Sequence, residues 1–236
     1  LEAIDRLIGT FRQAVGPKVG LCLDLNYNFR TEGVLRIAKL LEKYDMQWVE
    51  YDNWDPDALL QIKQSTTTRL ASCESLVSLR QYRPFLEKHA VDVAIIDVPW
   101  NGFSPSVQIG RLAEACEINI APHNYYSHLA DLHALHLCAV LPNVRIMEID
   151  IDDVPWKSTL VTKGISFTTR PSPDGNTRVI IGTESVPIQS GDGLSGADLK
   201  ALKGKTADAL GTELLAAGYP KTADPANANM TLLILI

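Results

Sequence analysis

Cysteine is scarce in this chain. Its four copies, Cys22, Cys73, Cys116 and Cys138, lie far apart, with no C-x-x-C pair among 236 residues. Nothing here looks like a disulfide framework; Cys22 and Cys138, set in apolar runs, read as reduced core thiols of a cytoplasmic protein. Long hydrophobic runs are missing too. Nothing reaches the roughly 20 residues that cross a bilayer, and TLLILI at 231–236 is far too short. No secretory signal opens the chain. Runs of Lys and Arg are absent, and 28 acidic against 22 basic residues leave a formal charge of −6. The expectation is no nucleic acid and no membrane as partner. No Walker sequence or G-x-G-x-x-G opens a helix after a strand, so nucleotide binding is not indicated.

What is present is a 46% apolar composition, enough for one sizeable core, in a length close to the ~250 residues of a (β/α)8 barrel. One pattern recurs six times. Short apolar runs end in Asp24, Glu50, Glu74, Asp97, His123 and Glu148, at steps of 26, 24, 23, 26 and 25 residues. Such a step suits one strand, one helix and two short loops. The strands are VGLCLDLN, MQWVEYD, RLASCES, VDVAIIDVPW, INIAPHN and VRIMEID, with amphipathic helical stretches between them. Asp55 and Pro56 read as the N-cap and first position of one of these helices. Parallel βα units stacked in order curl into a barrel whose strand ends ring one mouth. The six residues should therefore converge.

Each single acid could be a solvated strand end, but three in register on neighbouring strands are hard to obtain by accident. Asp24, Glu50 and Glu74 would repel one another unless a cation joined them. Oxygen-only ligands favour Mg²⁺, with Mn²⁺ as the alternative, over zinc. Asp97 and His123 end the next two strands, and a carboxylate beside an imidazole fixes its tautomer and makes it a competent base or acid. Glu148, on the last strand, could hydrogen-bond a substrate oxygen.

The runs D-L-N (24–26), W-V-E (48–50), S-C-E-S (72–75), D-V-A-I-I-D (92–97), A-P-H-N (121–124) and L-P-N-V-R-I-M-E (141–148) resemble the enolase superfamily, in its mandelate racemase-like branch. The resemblance covers residues 1–160. It implies a TIM-type modified (β/α)7β barrel, an α/β fold, of which strands three to eight are present, with a separate capping domain upstream. It implies one Mg²⁺ on Asp24, Glu50 and Glu74, an Asp97–His123 dyad, and Glu148 on a substrate oxygen. Asn26, Asn124 and Trp100 would line the substrate, a small carboxylate. The stretches VAIIDVPWNGF and HNYYSHL look most like acid-sugar dehydratases. Those enzymes remove the proton α to a carboxylate and expel a β-hydroxyl, giving a 2-keto-3-deoxy acid. A racemase or epimerase on the same scaffold is the first alternative, and a truncated non-catalytic homolog the second. Similar enzymes are dimers or octamers, so a homo-oligomer is expected.

Three departures stand out. The branch's Lys-x-Lys pair would lie before Leu1; Lys18 sits at the opposite end of its strand and cannot replace it. Cys73 stands where a Gly usually precedes the third ligand. Residues 161–236 do not follow the family pattern and form either part of the cap or an atypical C-terminus.

Overall fold

The structure is a computed structural model that describes residues 1–148, 166–171, 177–182 and 231–235. The chain divides into two compact units, Leu1–Leu21 with Ile151–Leu232, and Cys22–Asp150 with Leu233–Ile236. The first unit opens with helix α1 (Glu2–Val15), which buries Ile8, Phe11, Ala14 and Val15 along one face. Gly16 ends it at φ 74°, a conformation that favours glycine. Arg12 Nη1 donates to the carbonyls of Gly16 (2.8 Å) and Val19 (2.7 Å), tying the helix end to the chain that leaves it.

Five parallel strands follow in strict succession: β1 (Gly20–Asp24), β2 (Trp48–Glu50), β3 (Leu70–Ser72), β4 (Val93–Asp97) and β5 (Asn119–His123). Each pairs with the next. Helices α2 (Thr31–Leu41), α3 (Pro56–Gln64), α4 (Leu79–Glu87), α5 (Val98–Asn101), α6 (Phe103–Ala115) and α7 (His128–Val140) fill the crossovers. The sequence reading of α3 is met: the Asp55 carboxylate accepts the Asp57 N–H at 2.9 Å, and Pro56 sits where its missing N–H costs nothing. β2, β3 and β4 are buried throughout, as expected of parallel strands covered on both faces. One face carries Cys22, Trp48, Ala71, Val93, Ile95 and Ala121, which pack into a single cluster. By the two-residue period of a strand, Asp24, Glu50, Asp97 and His123 lie on that same face at its C-terminal edge.

Two boundaries differ from the sequence reading. VDVAIIDVPW was expected to be strand throughout, but β4 stops at Asp97. The Asp97 carboxylate accepts the Trp100 N–H at 2.8 Å and so caps the short helix α5. VRIMEID was expected to be a sixth strand, and among its described residues only Val144 bridges β5, opposite Ile120. Ile120 exchanges its bonds normally, donating to Asn143 O and accepting from Arg145 N. The next donor on β5 should be residue 122, which is a proline and has none. The ladder fails there, and Glu148 N rather than Met147 N reaches Pro122 O, at 3.2 Å. The carboxylate of Glu148 thus arrives on a bulged segment rather than on a strand.

Beyond residue 160, β6 (Ser166–Pro171) and β7 (Thr177–Gly182) form an antiparallel pair. TLLILI contributes β8 (Thr231–Leu235), next to β1 in the sheet order. The sequence ADLKALKGKTADALGTELLAAG at 197–218 reads as helical and lies outside the described residues. Among the described residues, no helix is long and apolar enough to cross a membrane.

Candidate active site

Strand register decides which side chains meet. Asp24 pairs with Glu50 and Asp97 with His123, so the first two acids and the dyad stand side by side. Between them the register is staggered: Glu50 faces Ala71, not Glu74. The expectation that Glu74 ends its strand fails, because β3 ends at Ser72. Counting alternately from Ala71, Cys73 rather than Glu74 would face the cluster. Cys73 instead adopts φ 94°, in the left-handed region, and the chain turns there. This is the position at which relatives were expected to carry glycine. We predict that Cys73→Gly is more stable than Cys73→Ala by ~1 kcal/mol. Both lose the thiol, but alanine keeps a strain of ~1–3 kcal/mol while glycine's added chain entropy costs only ~0.5–1 kcal/mol. Urea unfolding midpoints of the two variants check this.

The dyad is fully formed. Asp97 is completely buried. Its Oδ2 lies 2.9 Å from His123 Nδ1 and also accepts the Tyr126 hydroxyl. The Tyr126 ring meets the His123 ring edge to face, 5.6 Å between centroids. With Nδ1 directed at Asp97, His123 Nε2 faces Glu74 Oε1 at 3.4 Å and Glu148 Oε2 at 3.7 Å. Burial pulls the imidazole pKa down, but the bond to Asp97 and the charges of Glu74 and Glu148 outweigh it and lift the group to about 9.

The acids are crowded and poorly solvated. Glu50 is raised well above its ordinary value by burial, then by Asp24, Asp52, Glu74 and Glu148. Burial also lifts Asp24 to about 6, against the lowering bond from Asn26 N–H, with Asp52 and Glu148 adding to the rise. Glu74 reaches about 7 through burial, with His123 pulling the other way and Asp52 and Asp24 pushing up. This mutual destabilisation of all-oxygen donors is the electrostatic setting that suits a hard divalent cation. Among the described residues, however, no three acidic, His or Cys groups are already drawn into a cage. Asp24 is engaged by Asn26, through N (2.7 Å) and Nδ2 (3.2 Å), and Glu74 leans toward His123. The donor chemistry of Asp24, Glu50 and Glu74 fits Mg²⁺, with their carboxylates still to be gathered.

The three residues expected against substrate fare differently. Asn26 is exposed at φ 47°, beside Asp24. Trp100, in the short helix α5 after β4, is 51% exposed. Asn124 is wholly buried, and its Nδ2 donates to Asp131 Oδ1 (2.7 Å) and to Glu148 O (3.1 Å). Its N–H meets Glu148 Oε2 at 2.9 Å. Asn124 therefore anchors Glu148 and has no amide hydrogen left for a ligand. Three residues outside the sequence expectation also belong to the site: Asp52, Tyr126 and Asp131. Asp52 follows Trp48 and Glu50 at the strand period, a signal that was legible in WVEYD. Tyr126 falls within HNYYSHL without a period to mark it. Asp131 sits in the first turn of α7, where an acid normally reads as a favourable helix charge.

A sequence profile of the family described as enolase C-terminal domain-like matches residues 2–170. The chain belongs to that family. Its curated relatives include a D-xylonate dehydratase from Haloferax volcanii, 29% identical over 160 residues, which cover 66% of this chain and 38% of the relative. An L-talarate/galactarate dehydratase from Salmonella typhimurium is 29% identical over 169 residues, covering 70% and 40%. Among solved structures, a provisional L-alanine-DL-glutamate epimerase from Burkholderia xenovorans is 41% identical. It aligns with a TM-score of 0.63 over 66% of this chain and 39% of that one, and has been solved with magnesium and fumarate bound. The chain spans about two fifths of the length of these relatives. Within this enolase-type family, the five successive parallel strands are part of a TIM-like barrel, in the mandelate racemase/muconate lactonizing enzyme-like branch.

Proposed function

We propose that this enolase-type chain carries the proton-abstracting site of a Mg²⁺-dependent enzyme acting on a small carboxylate, most specifically a sugar-acid dehydratase. The observation that carries the reading is His123: Asp97 grips Nδ1 at 2.9 Å, leaving Nε2 facing the carboxylate-lined side of the site. Asp24, Glu50 and Glu74 would hold the ion, which when bound supplies positive charge to offset that building up on the substrate carboxylate.

In its neutral form His123 Nε2 takes the α-proton, while Asp97 keeps the ring in the Nδ1–H tautomer and supports the imidazolium that results. Tyr126, on the same Asp97 oxygen, fixes the carboxylate's position. The imidazolium, held charged by Asp97, Glu74 and Glu148, is then an acid that can protonate a departing β-hydroxyl. The dehydratase names of the curated relatives favour this outcome. An epimerase is the second reading, favoured by the 41% identical structural relative. The intact protein, given Mg²⁺ and a panel of sugar acids in deuterated water, separates the two. A 2-keto-3-deoxy product is expected. Exchange of the α-hydrogen without loss of water supports the epimerase instead, and neither product nor exchange on any acid of the panel counts against both.

A further inference from the structure

Glu74 lies past the end of β3, on a turn with a left-handed cysteine, yet its carboxylate must be held at the site. Among the described residues, the group that grips that turn is Asp52. Asp52 is 5% exposed and stands at the strand period from Trp48 and Glu50, so it projects from the end of β2 toward the same face. Its Oδ1 accepts the Cys73 N–H at 3.1 Å and the Ser72 hydroxyl at 3.2 Å. Its Oδ2 accepts the Ser75 hydroxyl at 3.4 Å, and the Ser75 hydroxyl also bonds that of Tyr27. One carboxylate therefore bonds residues on both sides of Glu74. It also satisfies the backbone N–H of the residue whose φ of 94° interrupts the strand alternation.

We propose that Asp52 is the positioning residue for Glu74: by accepting bonds from Ser72, Cys73 and Ser75 it holds the β3 turn in the conformation that brings Glu74 to His123 and to the cation. The reference to the cation rests on the function proposed above. The role calls for an oxygen acceptor at that place rather than for another negative charge. A neutral carbonyl oxygen can keep both Oδ1 bonds, so Asp52→Asn should hold the turn and Asp52→Ala should release it.

Cys73 reports on the turn directly, because it is 1% exposed and its N–H is one of the anchored groups. Cys22, fully buried in the β-strand cluster, serves as internal reference. The intact protein is alkylated under native conditions and the two thiols are followed separately by peptide mass spectrometry. Mg²⁺ affinity is measured by titration calorimetry. Asp52→Ala should speed Cys73 labelling by about tenfold, leave Cys22 unchanged, and weaken Mg²⁺ binding by about 10- to 100-fold. Asp52→Asn should return both readouts to near the wild-type values. If Asp52→Ala does not fold, Ser75→Ala removes one anchor and should speed Cys73 labelling to a smaller degree. The proposal is overturned if Cys73 stays protected in every variant that folds, or if Cys22 accelerates in step with it. It is equally overturned if Asp52→Asn binds Mg²⁺ as weakly as Asp52→Ala. Should the wild-type protein not bind Mg²⁺ at all, the metal reading fails on its own, and the Cys73 labelling still decides the role of Asp52.

Discussion

Replacing His123 with asparagine is expected to slow α-proton exchange of the substrate by about 10²- to 10⁴-fold, the usual share of a positioned general base. Nε2 is the atom lost. Asparagine can still donate to Asp97, so the buried carboxylate keeps a partner and the strand pairing of Asp97 with residue 123 need not change. The contrast with Tyr126→Phe sharpens the test. Phenylalanine removes only one of the bonds to Asp97 Oδ2 and should cost far less, because the bond from His123 remains. Comparable losses in the two variants would argue that the whole cluster is structural. An unaltered exchange rate in His123→Asn would remove the base from the mechanism.

How much of this could be read from the sequence varies with the kind of interaction. The Asp24–Glu50 and Asp97–His123 pairs follow from strand spacing alone, and both appear as direct register partners. Glu74 and Glu148 stand out in the sequence as candidate site acids by their place in the repeat. Their local structure was not, because each depends on a backbone irregularity: a positive φ at Cys73 and a missing donor at Pro122. A pattern of apolar residues cannot tell a strand from a bulged segment beside one. Asn124 shows another limit. The family resemblance places it against substrate, whereas its burial and its bonds to Asp131 and Glu148 come from helix α7 and the following segment, distant in sequence. Side chains that hold other side chains carry no periodicity of their own, and Asp52 was the exception only because it continues the alternation of Trp48 and Glu50.

Glu50→Gln should separate function from stability in opposite directions. Gln keeps the size and one oxygen but not the charge, so Mg²⁺ affinity should fall by more than the about 10- to 100-fold typical of outer-sphere partners. The same change should stabilise the metal-free protein near pH 8, because it removes one of several mutually repelling, poorly solvated charges. The sign follows from where the groups titrate. Glu50 is held above its ordinary 4.5, Asp24 is raised from 3.8 to about 6, and Glu74 from 4.5 to about 7. The native state therefore binds these protons more tightly than the unfolded chain. Their stabilising contribution is complete below the ordinary values and is lost as pH rises through the raised ones. His123, raised from 6.5 to about 9, adds a loss of the same sign over its own interval. The metal-free wild-type protein should thus melt at progressively lower temperature from about pH 4 to about pH 9. Mg²⁺, competing with protons for the same oxygens, should restore stability most at the alkaline end. In Glu50→Gln the decline should be shallower and the Mg²⁺ rescue lost. Thermal melts at several pH values, with and without Mg²⁺, decide the matter. A metal-free protein that gained stability with rising pH would mean that the acids are individually solvated and share no site.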